Sequence, residues 1–193
     1  MNSLKIISEH FAEHIEIMSG VLALISGDIE RANVKITRTL DNGGTLFWCG
    51  NGGSAADSQH LAAELVGRFK KNRKALRSVA LTTDTSVLTC VANDYSYEDI
   101  FSRQLEALAR PDDVLVAIST SGNSENVLRA LKKSKDLGVK TIAFLGKDGG
   151  QAKSIADLAI VIPSDSTARI QEAHILIGHI LCDLIEKGLG LDG

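Results

Sequence analysis

Leu46-Phe47-Trp48-Cys49-Gly50-Asn51-Gly52-Gly53-Ser54 is a short apolar run that breaks into a glycine-rich turn, and the pattern behind it carries His60, Glu64 and Arg68. The apolar run reads as a buried strand, the glycines as a turn, and the following residues as a helix to about Arg68. Positions 60, 64 and 68 are four apart, so on a helix they share one stripe. Imidazole, carboxylate and guanidinium in line offer a donor or metal ligand, a base and an anion clamp. Strand, glycine turn, helix start and polar stripe together read as a site for a phosphorylated small molecule.

Working outward, the chain repeats this unit. Strands are expected at residues 45–49, 79–81, 114–119, 140–145 and 158–162, with helical patterns between them. The last helix runs from the Pro163-Ser164-Asp165-Ser166 turn to about Lys187. Alternation of this kind predicts a three-layer αβα sandwich on a five-stranded parallel sheet, with ligands at the carboxyl ends of the strands. Ahead of it, Leu4, Ile7, Phe11, Ile15, Met18, Leu22 and Ile25 mark one face of a helix. Gly27-Asp28 reads as a break and a new cap, so an N-terminal helical pair is expected over residues 1–42, before an α/β core over 45–193. Two such helices cannot bury their faces on each other; they need the main domain or another subunit, and an oligomer is expected. With no linker, repeat or low-complexity stretch, residues 1–193 read as one domain.

Composition narrows the partners. A net charge of −3 argues against nucleic acid or a membrane surface as the main ligand. No apolar run approaches the ~20 residues of a membrane span. The first residues lead straight into an amphipathic pattern, so a cytoplasmic protein is expected. Cys49, Cys90 and Cys182 are odd in number and far apart; they read as buried free thiols. His10 and His14 read as a solvated helix face, and the basic run at residues 70–74 as a solvated loop.

Ser119-Thr120-Ser121-Gly122-Asn123-Ser124 is the most specific local signal. Four hydroxyls and a glycine lie between an apolar strand and a helix start, where unpaired N–H groups and the positive dipole end meet. A single helix cap would use one hydroxyl and leave the rest idle, so the loop reads as an anion site. The glycine turn at 50–54 does not fit the dinucleotide spacing, and no acidic residue is placed for a ribose. His60 and Glu64 are either a surface pair or two metal ligands in need of others. His179 in the last helix has apolar neighbours, where a lone histidine is usually a core residue.

With these pieces in place, the chain resembles the sugar isomerase (SIS) domain family and, within it, the bacterial phosphoheptose isomerases. The resemblance rests on residues 49–54, His60 with Glu64 and Arg68, Asn93-Asp94, residues 119–124, residues 146–150, and Arg169-Ile170-Gln171-Glu172 followed by His179. It spans essentially the whole chain. It implies an isomerase that takes sedoheptulose 7-phosphate to D-glycero-D-manno-heptose 7-phosphate, opening ADP-heptose or GDP-heptose biosynthesis. It implies that Ser119, Thr120, Ser121 and Ser124 hold phosphate. Asn51, Gly52, Gly53, Ser54, Asn93 and Asp94 would hold sugar hydroxyls, with Glu64, Arg68 and Gln171 also lining the substrate. Glu64 and His179 would be the acid–base pair, and His60, Glu64, Gln171 and His179 would bind Zn2+. A homotetramer with sites at subunit interfaces is implied as well. Where some relatives carry an aspartate before the Arg-Ile-Gln-Glu motif, Ala168 stands here.

A non-catalytic SIS relative, the DnaA initiator-associating protein, shares much of the C-terminal wording. In that group the glutamate and the final histidine tend to be replaced, whereas Glu64 and His179 are both present here. A sugar-phosphate-sensing module would likewise need no acid–base pair. Geometry adds one expectation. On one regular helix Gln171 and His179 lie ~12 Å apart along the axis. Either Gln171 sits at a distorted helix start, or the two meet one ion from different subunits.

Overall fold

The computed structural model describes residues 2–191; the expected domain limits at Met1 and at residues 192–193 lie outside them. In chain order the elements are α1 (Ser3–Asp41), β1 (Leu46–Gly50), α2 (Gly53–Val66), β2 (Ser78–Ala80), α3 (Thr85–Asp94), α4 (Ser102–Leu108), β3 (Val114–Ser119), α5 (Glu125–Asp136), β4 (Lys140–Gly146), α6 (Ala152–Ile155), β5 (Leu158–Ile162) and α7 (Thr167–Gly188), with a 3-10 turn at Tyr97–Asp99. The strands form one parallel sheet in the order β2-β1-β3-β4-β5.

Each inner strand is buried on both faces, as parallel strands covered by helices must be. Alternate residues divide between two cores. Leu46, Trp48, Val116, Ile118, Ile142 and Phe144 pack with α1, α2 and α7. Phe47, Cys49, Leu115, Ala117, Ala143 and Leu145 pack with α3, α4, α5 and α6. From β1 the chain turns one way to β2 and the other way to β3. The crevice between the carboxyl ends of β1 and β3 is therefore the switch point of the sheet, where ligands of open parallel sheets bind.

The N-terminal helical pair is not formed. Residues 3–41 make one 39-residue helix, continuous through Gly27. A mid-helix glycine costs only about 1 kcal/mol. Val21, Ile25, Ile29, Ala32, Ile36 and Leu40 bury one continuous face across it, and that burial outweighs the penalty. Asp28 pairs with Arg31 one turn on instead of capping a new helix. The thiols also need correction: Cys49 and Cys182 are buried, but Cys90 is exposed on α3. Its neighbours are apolar, yet Val91 is the only buried residue of that helix.

Candidate functional site

Two polar loops meet at the switch point. Gly50 ends β1 and pairs with Ile118, one residue before the end of β3. In the loop after β3, Ser119 Oγ accepts from the Gly122 N–H (3.1 Å) and lies 3.4 Å from Ser124 Oγ. Ser121 Oγ accepts from the Asn123 N–H. Ser124 occupies the cap position of α5, but its side chain makes no capping bond. The Val127 N–H is taken by Asn126 Oδ1. The hydroxyl is thus not spent on the helix. The half-buried Thr120 makes no side-chain hydrogen bond among the described residues.

Gly122 shows why this loop is rigid. Its φ is +64°, and a Cβ there would come within 2.0 Å of the Gly149 carbonyl oxygen. Only glycine permits that approach. The turn at residues 146–150 is held against the hydroxyl loop by Ala152 N–H to the Gly122 carbonyl (2.9 Å) and Gln151 N–H to Asn123 Oδ1 (3.0 Å).

Across the crevice, Asn51 and Asn126 exchange amide bonds, each Nδ2 donating to the other Oδ1 at 2.9 Å. Tyr97 also donates to Asn51 Oδ1. Asn51, expected at the sugar, is therefore also the latch between β1 and α5. Beside it a cavity of about 310 Å³ is lined by Asn51, Gly52, Thr82, Thr89 and Tyr97, among others. Asn93 and Asp94 lie outside that lining. They are the last two residues of α3, both exposed, with Asn93 Nδ2 bonded to Asp94 Oδ1. Ser54 is buried in the first turn of α2.

The third component is the seam between α2 and α7. A Cβ on Gly53 would strike the Gln171 amide at 2.4 Å, and one on Gly178 would strike Leu61 at 2.5 Å. The two helices thus run parallel in close register, with Gln171 beside Gly53 and His179 beside His60. His60 Nε2 lies 3.1 Å from Glu64 Oε1. The His60 and His179 rings meet edge-on with centroids 5.0 Å apart. Ligand atoms of His60, Glu64 and His179 all lie within 4.8 Å of one another. On the other side of His179 the Phe69 ring stacks at 5.5 Å. Glu186 anchors the Phe69 loop by accepting from the Phe69 and Lys70 N–H groups and from Arg73 Nε. Burial alone would push the Glu186 carboxyl up, but these donors win and hold it below the usual range.

Arg68 does not join the stripe. α2 ends at Val66, and Arg68 is exposed in the loop beyond it. Gly67 closes the helix early, its N–H bonding to the Ala63 carbonyl. Gln171 lies within the regular helix α7, so a distorted start does not explain its distance from His179.

Three residues were missed. Asn126 and Tyr97 lie in ordinary helical and turn contexts and carry no motif. Asp57 was readable: it stands three residues before His60 and seven before Glu64, on the same helical stripe. Its Oδ2 is buried and has no hydrogen-bond partner among the described residues. Burial raises its pKa, while His60 and His179 pull it down.

The class of protein is given by the family comparison: the SIS domain family model matches residues 9–146. Among curated proteins, the chain is 52% identical over 182 residues to the phosphoheptose isomerase of Helicobacter pylori strain P12, covering 94% of this chain and 95% of that one. It is 59% identical over 147 residues to the phosphoheptose isomerase of Clostridium acetobutylicum, covering 76% and 75%. Among solved structures, phosphoheptose isomerase GmhA from Neisseria gonorrhoeae superposes with a TM-score of 0.92 at 42% identity, covering 96% of this chain and all of that one. A phosphoheptose isomerase from Francisella tularensis gives 0.94 at 38%, covering 97% and 100%. The chain belongs to the SIS domain family, among its phosphoheptose isomerases.

Proposed function

We propose that this chain is an aldose–ketose isomerase that converts sedoheptulose 7-phosphate to D-glycero-D-manno-heptose 7-phosphate, the entry to nucleotide-activated heptose. The observation that carries the reading is the convergence of Glu64, His60 and His179 on the seam beside the glycine turn, in a chain more than 50% identical over most of its length to phosphoheptose isomerases. Ser119, Thr120, Ser121 and Ser124, with the first N–H groups of α5, bind the phosphate and fix the register of the sugar. Gly52, Gly53, Ser54 and Gln171 face its hydroxyls. Arg68, Asn93 and Asp94 reach the substrate only through the neighbouring subunit or after closure of their exposed segments.

The reaction moves one proton between C1 and C2 and another between the two oxygens. A base removes the C1 proton as the carbonyl oxygen at C2 gains one, giving an enediol. Return of a proton to C2 and loss of the O1 proton give the aldose. Glu64 and His179 divide these tasks as the acid–base pair. Phe69 fixes the imidazole plane by stacking.

Two imidazoles and a carboxylate within 4.8 Å of one another are a fitting donor set for Zn2+. His60, Glu64 and His179 would hold the ion. Bound there, it would polarise the carbonyl and stabilise enediolate charge. Asp57 acts on His60 and His179 through its charge, without a hydrogen bond to either. Gln171, two turns away beside Gly53, completes that set only from another subunit. The uncovered α1 side chains Leu4, Ile7, Phe11, Ile15 and Leu22 support a homotetramer, in which such a contribution is available. No helix among the described residues is long and apolar enough to cross a membrane; a sugar-phosphate substrate supports a cytoplasmic enzyme.

The test is turnover of sedoheptulose 7-phosphate by the purified protein, with and without chelator and added zinc. Product that disappears with chelator and returns with zinc is expected. Binding of the sugar phosphate with no turnover under any metal condition would overturn the enzyme reading in favour of a non-catalytic SIS protein.

A further inference from the structure

The opposite edge of the sheet carries a second, larger cavity of about 720 Å³. It lies where β1, β3 and β4 begin. From there β3 runs six residues, or ~17 Å, to the hydroxyl loop. Five cations line it: Lys35 and Arg38 from α1, Arg77 before β2, Arg110 before β3 and Lys140 opening β4. Against them stand two carboxylates. Asp113 is buried and already accepts from the Thr45 and Arg110 N–H groups at 2.7 and 2.8 Å. Asp112 lies on the exposed rim.

Among the described residues, none of the five cations forms an ion pair. Of the six arginines elsewhere, Arg31, Arg73, Arg103, Arg129 and Arg169 do, and the exposed Arg68 does not. Helix C-termini at this edge would favour basic residues, but that effect fades beyond the last turn. It accounts for Arg38, in the last turn of α1, and for Arg110, next to the cap of α4; Arg77 and Lys140 are not on helix ends.

The walls are built rather than loose. Thr39 Oγ1 donates to the Asp112 carbonyl (3.1 Å), Arg77 Nε to Thr45 Oγ1 (3.1 Å), and the Gly44 N–H to the Thr39 carbonyl (2.9 Å). A Cβ on Gly44 would meet Thr39 at 2.8 Å, so the chain is folded back tightly here.

We propose that this cavity binds a small polyanion carrying two or more phosphate groups. The cations come from four separate segments around a volume of ligand size, so a single phosphate would reach only some of them. Among the described residues no aromatic side chain lines the cavity, so they offer no aromatic stacking surface for a base. Guanidinium pairs suit phosphate oxygens through two parallel bonds. The site is separate from the isomerase centre and does not depend on that assignment.

Inorganic diphosphate is the probe, titrated calorimetrically into the intact protein. The variants are Arg38→Ala/Arg110→Ala, Lys140→Ala and Ser121→Ala. Arg38, Arg110 and Lys140 are exposed, so their replacement spares the core. The double variant is expected to bind about 10-fold or more weakly, as loss of charge-assisted bonds implies. Lys140→Ala is expected to weaken binding less, and Ser121→Ala not at all. Raising salt from about 50 to 200 mM is expected to weaken wild-type binding. Turnover of the sugar phosphate is expected to be the same in the double variant as in the wild type. Unchanged affinity in the double variant would overturn the site, including the case where the heat comes from diphosphate withdrawing a metal. Loss of binding in Ser121→Ala would place the probe in the hydroxyl loop and overturn it equally.

Discussion

His174 and His179 stand five residues apart on the same helix and live in different chemical worlds. His174 is fully buried on the sheet side of α7. Its Nε2 lies 3.1 Å from the Leu145 carbonyl, and its ring sits 5.9 Å from that of Phe144. Burial pushes its pKa down to about 4, so it is a neutral donor tying α7 to β4. His179 is half-buried and faces α2, between His60 and Phe69. Five residues turn a helix by about 140° beyond one full revolution, which carries the side chain from the core to the seam. What surrounds an imidazole, rather than its presence on an apolar helix, decides whether it packs or reacts.

The sharpest way to break the comparison is to exchange each residue and ask which property fails. His179→Ala and Glu64→Gln are each expected to lower kcat by about 1,000-fold, the scale of a lost acid or base. Neither should move the thermal unfolding midpoint of the metal-free protein by more than a degree or two. Near-normal turnover in either variant would remove that residue from the mechanism. His174→Ala is expected to do the reverse. It leaves a cavity and an unpaired carbonyl, costing on the order of 2–4 kcal/mol, while the folded fraction keeps turnover within a few-fold of wild type. If His174→Ala destroyed activity without loss of stability, the two histidines would have to trade roles.

Asp57→Asn sharpens the seam side of the comparison. Removing this unpartnered carboxylate beside the two histidines is expected to cost about 10–100-fold in metal affinity, the range seen for outer carboxylates of metal sites. Zinc titration against a competing chelator is the direct measure, and an unchanged zinc affinity would leave Asp57 as a packing residue only.

The same pair shows what could be read from residues alone. Strand positions at 114–119 and 158–162 came out as expected, because an apolar run bounded by turn residues has few alternatives. The hydroxyl loop was legible because four hydroxyls exceed what a cap can use. His179 was singled out by its resemblance to a family motif, and the general expectation that a lone histidine on this helix is a core residue describes His174 instead. Neither assignment follows from periodicity, since both positions have apolar neighbours. The break expected at Gly27 failed for a related reason. Local propensity argues for a stop, but the burial that overrides it comes from α7 and β5, which are distant in sequence. Asn126 and Tyr97 escaped notice because their roles exist only once β1 and α5 are brought side by side.

The smallest effect is a slope. The folded His174 binds a proton only near pH 4, whereas in the unfolded chain it titrates near ~6.5. Between those values the unfolded state holds more protons than the folded one, so stability falls as pH is lowered through that window and is fully retained above it. The whole loss is about 3 kcal/mol. Glu186, held low in the fold, gives a loss of the same sign, but at the acid end and in wild type and variant alike. The difference between wild type and His174→Gln, which keeps a donor for the Leu145 carbonyl, therefore isolates the histidine. That difference curve should rise from pH 4 to about 6.5 in favour of the wild type and level off beyond. A flat difference would mean that His174 is protonated as easily inside the fold as outside it. Burial would then not be what separates it from His179.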